Sequence, residues 1–344
     1  MRGDTSSIHI RPHPCLNEER FIGGSWRISP DRLTRLELIE VLVIDGGSSD
    51  QTRAIVAQWE RRDKRFKLVD NPDRYVPHAL NLGIRAASGE FIVIMGAHAA
   101  YPADYLSKLE EGLQSTGALN VGGVCLTAPR SEAPKARAIA ALLRHPLGVG
   151  NSLFRIGVDR PTEVDTVPFG CYPRGVFGTY GLFDERLLRN QDIEFNKRIY
   201  NSGGKILLLP DVQCTYFARD TFRALWQNNF QNGLWVIRTA KLTRRLSSLS
   251  LRHFVPLGFV FYLALAALCS FFGWFAALAP LILYLFLTGA AAFRIAWREG
   301  SALVFPLAWA GFPVLHLSYG LGSLQGLWEL AKEKIIKKPI RAGQ

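Results

Sequence analysis

Residues 38–52 read LIEVLVIDGGSSDQT, and this stretch decides the fold class. Residues 38–44 form a short apolar run rich in β-branched side chains, of strand length, that ends at once in the turn cluster Asp45-Gly46-Gly47-Ser48-Ser49-Asp50. Residues 52–59 then have helical spacing. The alternation continues with a strand at 67–69, a helix over 79–87 that stops at Ser88-Gly89, and a buried strand at 91–95 (FIVIM). Strand, helix, strand, helix, strand predicts an α/β layer on a mostly parallel sheet. In such sheets ligands bind beyond the carboxyl ends of the strands, which singles out DGGSSD and the GAHAAYP segment at 96–102.

A carboxylate at a strand tip can accept hydrogen bonds from ribose hydroxyls or a base N–H. The segment lacks both the lysine of a phosphate-cradling loop and the glycine spacing of a dinucleotide site. Asp45 and Asp50 therefore read either as nucleoside contacts or as parts of an ordinary Asp-Gly turn. A third cluster, RNQDIEFNKRI at 189–199, carries its acidic residues at the start of a helix, where the helix dipole favours negative charge.

The whole chain has 344 residues, of which 48% are hydrophobic and 20% charged, so it is neither a disordered tail nor a small disulfide scaffold. Its formal net charge is +12. Residues 1–220 hold 28 Lys+Arg against 26 Asp+Glu, whereas 221–253 hold 6 against none and 254–344 hold 7 against 3. A nucleic-acid-binding protein would concentrate basic residues on its globular part, and this one does not. Residues 254–293 contain no charged residue, enough for two bilayer crossings of about 20 residues each. The uncharged run at 301–328 contains Pro306 and Pro313 and reads as a hairpin in preference to a third span. Arg238, Lys241, Arg244, Arg245 and Arg252 precede the first span, which the positive-inside tendency places on the cytoplasmic side, with lipid headgroups as their simplest partners. The opening residues have no apolar core of signal-peptide length. Five scattered cysteines without a CxxC pair read as reduced and mostly buried.

Four segments occur together in one order: Pro14-Cys15-Leu16-Asn17-Glu18-Glu19, then VLVIDGGSSDQT, then ALNLGIRAASGEFIVIM, then 164–206 with its GLFDE and RNQD blocks. In this the chain resembles the family 2 inverting glycosyltransferases of the GT-A fold, and within them the succinoglycan-biosynthesis ExoA-like membrane enzymes. The resemblance implies a Rossmann-like α/β domain with a mixed sheet at 1–220. A basic amphipathic segment at 221–253, a transmembrane region at 254–328 and a basic tail at 329–344 would follow. It implies a UDP-sugar donor, a polyprenyl-diphosphate-linked saccharide acceptor, a multi-pass inner-membrane location with the catalytic domain cytoplasmic, and a polysaccharide-assembly complex as a further partner.

By the same resemblance, Pro14 and Glu18 lie in the first nucleotide-contacting loop, Asp45 binds the uridine with Asp50 nearby, and Asp192 is the base that deprotonates the acceptor hydroxyl. Gln191 joins the substrate-binding set, and Glu194 is support. The family normally carries an Asp-x-Asp or Asp-Ala-His element after the strand at 91–95, where this chain has Gly96-Ala97-His98. Loss of that carboxylate removes an oxygen ligand for Mg2+ or Mn2+ and leaves His98 as a metal ligand or diphosphate hydrogen-bond donor. Arg174 or Lys197 could then neutralise the diphosphate, or the protein could be a catalytically silent relative acting as a scaffold. Arg11 and the nearby prolines also predict a shortened or displaced first strand. Residues 221–235 (TFRALWQNNFQNGLW) have helical spacing. Trp226, Trp235 and Gln227 suit either an acceptor groove or the membrane interface.

Overall fold

The computed structural model describes residues 9–10, 13–19, 22, 40–97 and 99–336. The chain divides into two compact units, Met1–Thr127 with Ser152–Phe217, and Ala128–Asn151 with Ala218–Gln344. The second unit thus takes a 24-residue segment from within the 1–220 stretch that composition treats as one domain.

In the first unit the opening strand is two short pieces, β1 (His9–Ile10) and β2 (His13–Cys15). They pair into different sheets, in keeping with a first strand that is too rich in Pro and Arg to run through a core. β2, β3 (Val41–Asp45) and β4 (Phe66–Asp70) form a parallel three-stranded sheet. The larger sheet orders β1, β5 (Phe91–Val93), β9 (Cys171–Pro173), β7 (Asn120–Ala128), β10 (Ile206–Phe217) and β6 (Ala99–Ala100), with β8 (Thr162–Glu163) on β10. β1 and β5 are parallel, whereas β9 runs antiparallel to both β5 and β7. The sheet is therefore mixed, parallel where the early βα repeats lie and antiparallel where the later strands join.

Helices α1 (Thr52–Arg62), α2 (Val76–Ala86), α3 (Tyr105–Thr116) and α8 (Gln191–Asn201) flank the sheets; between α3 and α8 lie α4 (Pro134–Leu142), α5 (Pro146–Val149), α6 (Leu153–Ile156) and α7 (Gly175–Tyr180). All five residues of β3 are buried, as a strand sandwiched on both faces requires. Apolar clusters around Val41, Val43 and Leu109 and around Leu42, Ile44 and Phe195 lie on the two sides of this layer. Alternate residues of one strand feed both. Cys15, Cys125, Cys171 and Cys214 are free and buried, and the Cys125 and Cys214 Sγ atoms face each other at 3.2 Å.

In the second unit, α9 (Phe222–Thr243) starts at Thr221, whose Oγ1 accepts the Ala224 N–H. It is followed by α10 (Val255–Phe271), α11 (Ala279–Arg298) and α12 (Val304–Ile336). Three helical segments, Leu251–Phe271, Phe275–Arg298 and Val304–Glu333, are long and apolar enough to cross a membrane, with mean hydropathies of 2.1, 2.0 and 1.3. Large apolar side chains such as Phe271, Phe286 and Trp297 are exposed on them, as a lipid-facing surface requires and water would penalise.

The hairpin read at 301–328 is overturned. α12 runs unbroken for 33 residues through Pro313, about 50 Å at 1.5 Å per residue. Against it α9 packs at glycine contacts. A Cβ on Gly322 would fall 2.0 Å from the Phe230 carbonyl, and one on Gly326 would fall 2.7 Å from Ile237 Cβ. α4 (Pro134–Leu142) also packs here, with Ala138 to Leu142 buried among Ala292, Ala308 and Phe312. Glu299 ties it in through Arg137 at 2.9 Å and Arg144 at 3.4 Å.

Candidate functional site

The strand tips of β2, β3 and β4 lie in register, with Cys15 opposite Asp45 and Asp45 opposite Asp70. Immediately beyond them Gly47 takes a left-handed backbone (φ 83), which lets the turn double back over Asp45. Two loops are laced together there. The Asn17 N–H donates to Ser48 Oγ at 2.9 Å, the Ser49 N–H to Asn17 Oδ1 at 2.9 Å, the Glu18 N–H to Thr52 Oγ1 at 2.8 Å, and the Glu19 N–H to Asp50 Oδ2 at 3.1 Å. Pro14, Glu18, Asp45 and Asp50, predicted to share one site, are in fact brought together.

The Asp45 carboxylate is buried and fully engaged within the protein. It accepts the N–H groups of Gly47 and Ser48, the Ser48 hydroxyl, and Arg53 Nη1 at 2.7 Å. Burial alone would raise its pKa. The Ser48 and Arg53 hydrogen bonds outweigh that and hold it below the ordinary aspartate value, so the group is a fixed anion. Arg53 also reaches Asp70 at 2.6 Å and bridges the two strand tips.

Arg74, which the sequence reading missed, has a left-handed backbone (φ 64) and lies against this turn. Its guanidinium atoms are 3.8 and 3.9 Å from a Cβ position at Gly47. The side chain is exposed, so a cation borders a turn made of glycines and anions. No local pattern marks it, because only the fold brings residue 74 over residue 47.

The RNQD block opens α8 from a left-handed Asn190 (φ 62). Asp192 is half-buried, and its Oδ1 accepts the Ile193 N–H at 2.9 Å. Desolvation raises its pKa above the usual aspartate range, and that backbone donor only partly opposes the rise. Gln191 is beside it, half-buried, and the Asn190 amide nitrogen is buried without a partner among the described residues.

The helix start is fastened from several sides. Glu194 pairs with Arg198 at 2.9 Å, and Arg198 also donates to the carbonyls of Tyr180 and Leu182. Buried Asn81 exchanges hydrogen bonds with the Phe183 backbone in both directions and donates to Glu185. Asn196 joins Asn120, Tyr172 and Thr166 beneath the helix. Sequence reasoning missed Asn81 and Asn196. Their signal was an amide on the otherwise apolar face of a helix, which must find a buried partner.

Two predicted cations are placed elsewhere. Lys197 is buried and pairs with Asp165 at 3.1 Å, which uses its charge. Arg174 donates to the Ser88 carbonyl, and its N–H donates to the Glu90 carbonyl, at the amino end of β5 and not the carboxyl end where ligands sit. His98 lies outside the described residues.

In the second unit, Trp226, Gln227, Phe230 and Gln231 line an open depression of about 370 Å³ on α9. Trp235 is buried instead, with the Arg238 guanidinium 5.2 Å from its ring centroid. The basic run is also not wholly free for lipid, because Arg238 pairs with Glu329 at 2.9 Å and Lys241 with Glu333.

The family model for glycosyl transferase family 2 matches residues 14–177, the span that carries the strand tips, Asp45 and Gly96. The succinoglycan biosynthesis protein ExoA of Rhizobium meliloti is 30% identical over 79% of this chain and 81% of its own length. The chain belongs to glycosyltransferase family 2. A glucuronosyltransferase of Methanococcus voltae whose name specifies a dolichyl-linked N-acetylglucosaminyl phosphate acceptor is 27% identical over 73% of this chain and 78% of its own. Among solved structures, a mannosyltransferase from Pyrobaculum calidifontis in complex with GDP-Man and Mn2+ superposes with a TM-score of 0.62. It is 18% identical and covers 95% of this chain and 88% of that one, which establishes the GT-A fold and nothing finer. This family 2 glycosyltransferase is thus related to transferases of exopolysaccharide and lipid-linked glycan assembly.

Proposed function

We propose that the protein is a membrane-anchored inverting transferase that moves a sugar from a UDP-sugar to a polyprenyl-diphosphate-linked glycan, with Asp192 as its base. The observation that carries this reading is the state of Asp192: a half-buried carboxylate with one backbone donor and a raised pKa, at the mouth of a rigidly fastened helix. Such a group keeps accepting capacity for an external proton, and its basicity is strengthened at neutral pH. It takes the acceptor hydroxyl proton as that oxygen attacks the anomeric carbon. The bond from that carbon to the diphosphate breaks on the opposite face, UDP leaves, and the configuration inverts.

Donor binding falls to the strand-tip site of Pro14, Glu18, Asp45 and Asp50, with Arg74 beside it and the unpaired Asn190 amide available to a ligand. Trp226 and Gln227 offer an aromatic face and an amide for the acceptor glycan. The three apolar helices support anchoring in the inner membrane. With Arg244 and Arg245 cytoplasmic, three crossings put the two flanks of the bundle on opposite sides. The likeness to a succinoglycan biosynthesis protein supports a place in exopolysaccharide synthesis.

A second reading, a silent homologue that binds nucleotide sugar as a scaffold, is favoured by one observation, the aromatic surroundings of Gly96 described below. Release of UDP from a panel of UDP-sugars by membrane extracts separates the two. Turnover above an Asp192→Asn control is expected, and its absence with every donor would leave the scaffold reading.

A further inference from the structure

Gly96 follows β5, where the family's metal-holding carboxylate is missing, and the space for that side chain is filled. A Cβ at Gly96 would fall 2.6 Å from Phe169 Cε1 and 3.1 Å from its Cζ, so an acidic residue there requires the ring to move. Phe169 is held in place. Its backbone is left-handed (φ 49), a conformation a bulky residue keeps only when its surroundings impose it. Its carbonyl accepts the Tyr105 hydroxyl at 3.4 Å, and its ring meets Tyr101 edge-on at 5.8 Å. The Tyr101 hydroxyl in turn accepts the Gly96 N–H at 2.8 Å. Burial keeps the Tyr105 phenol neutral by raising its pKa.

Hard divalent cations select anionic and carbonyl oxygens, and an aromatic ring offers neither. Among the described residues no three His, Cys, Asp or Glu side chains gather where an ion could be held. Asp45 is spent on its own turn and on Arg53. The described residues, which leave out His98, therefore do not fit the ion that the family's acidic element holds. Among the described residues, the Arg74 guanidinium over Gly47 is an exposed positive charge at the strand tips, beside Arg53, which is paired with Asp45 and Asp70.

Resting on the nucleotide-donor reading above, we propose that this site binds its nucleoside diphosphate without a protein-held divalent cation. Phe169 fills the ligand position at residue 96, and Arg74 supplies positive charge to the diphosphate.

The test is calorimetric titration of the detergent-solubilised full chain with UDP and with GDP, each in excess chelator and in Mn2+. The affinity of the preferred nucleotide should agree within about threefold between the two conditions, well short of the tenfold that marks 1.4 kcal/mol. Arg74→Ala should weaken binding in chelator by at least about tenfold. A Gly96→Asp/Phe169→Ala double variant, with folding checked by thermal melting, should bind about tenfold or more tightly with Mn2+ than without. Wild-type binding that requires Mn2+ overturns the inference and leaves the donor reading standing. Absence of binding by either nucleotide in both conditions overturns the inference and the donor reading together.

Discussion

Asp45 ends β3 and Asp192 lies in the first turn of α8, and the protein treats these two carboxylates in opposite ways. The strand-tip carboxylate is the more deeply buried, but it collects four donors and its pKa falls. The helix-start carboxylate is less covered by area, but with one backbone donor its pKa rises. Burial alone does not decide a carboxylate's state; the count of donors that reach it does. One carboxylate is spent on holding its own turn together. The other is left with a raised proton affinity.

The largest effect that tests this contrast is Asp192→Asn. Removal of a general base costs about 10²- to 10⁴-fold in turnover. Because the substitution also removes a poorly solvated charge, the melting temperature should stay level or rise. A fall in stability with retained activity would make Asp192 an ordinary capping residue. Asp45→Asn should do the reverse in kind. It leaves Arg53 and the Ser48 donors imperfectly matched, at about 1–3 kcal/mol, so melting temperature and nucleotide affinity should fall together.

Asn81→Ala is expected to have a smaller effect, about tenfold in kcat/KM, by loosening the 183–185 segment ahead of the RNQD block without touching the carboxylate. The acid limb of its pH profile should not move, which separates positioning from proton transfer. An unchanged kcat/KM would show that this segment does not position Asp192.

The smallest effect, and the sharpest discriminator, is pH. A base must be ionised, so kcat/KM should fall with decreasing pH through an acid limb placed above the ordinary aspartate value of about 3.9. Stability follows opposite signs at the two residues. Asp192, with its folded pKa raised, contributes most below the unfolded value and loses that contribution as pH rises through the folded one. Asp45, with its folded pKa lowered, contributes above the unfolded value and loses it as pH falls through the folded one. Melting curves of the two Asn variants against wild type from pH 3 to 7 read both. Parallel pH dependences would erase the distinction.

Much of the first unit was legible from local pattern. The strand at 38–44 is seen as Val41–Asp45 with Glu40 before it, and the helices at 52–59 and 79–87 as Thr52–Arg62 and Val76–Ala86. Apolar runs and turn residues act within a few neighbours, so periodicity reports them. The antiparallel half of the larger sheet was not legible, because strand direction depends on partners as far apart in sequence as Ala99 and Tyr216. In the second unit, hydropathy located the spans. The prolines suggested a hairpin that the packing of α9 and α4 on α12 overrides.

The sequence by itself determined the α/β class, the apolar helices of the second unit, the segregation of charge and the placing of Asp45 at a strand end and Asp192 at a helix start. Each of these depends on order along the chain. Only the tertiary structure decided which charges are spent. Arg238 and Lys241 meet Glu329 and Glu333 across about 90 residues, Lys197 meets Asp165, Arg74 lies over Gly47, and Phe169 closes on Gly96. The physical reason is that a pKa, an ion pair and a steric block depend on what lies within a few ångströms. That distance is set by the fold, not by sequence separation.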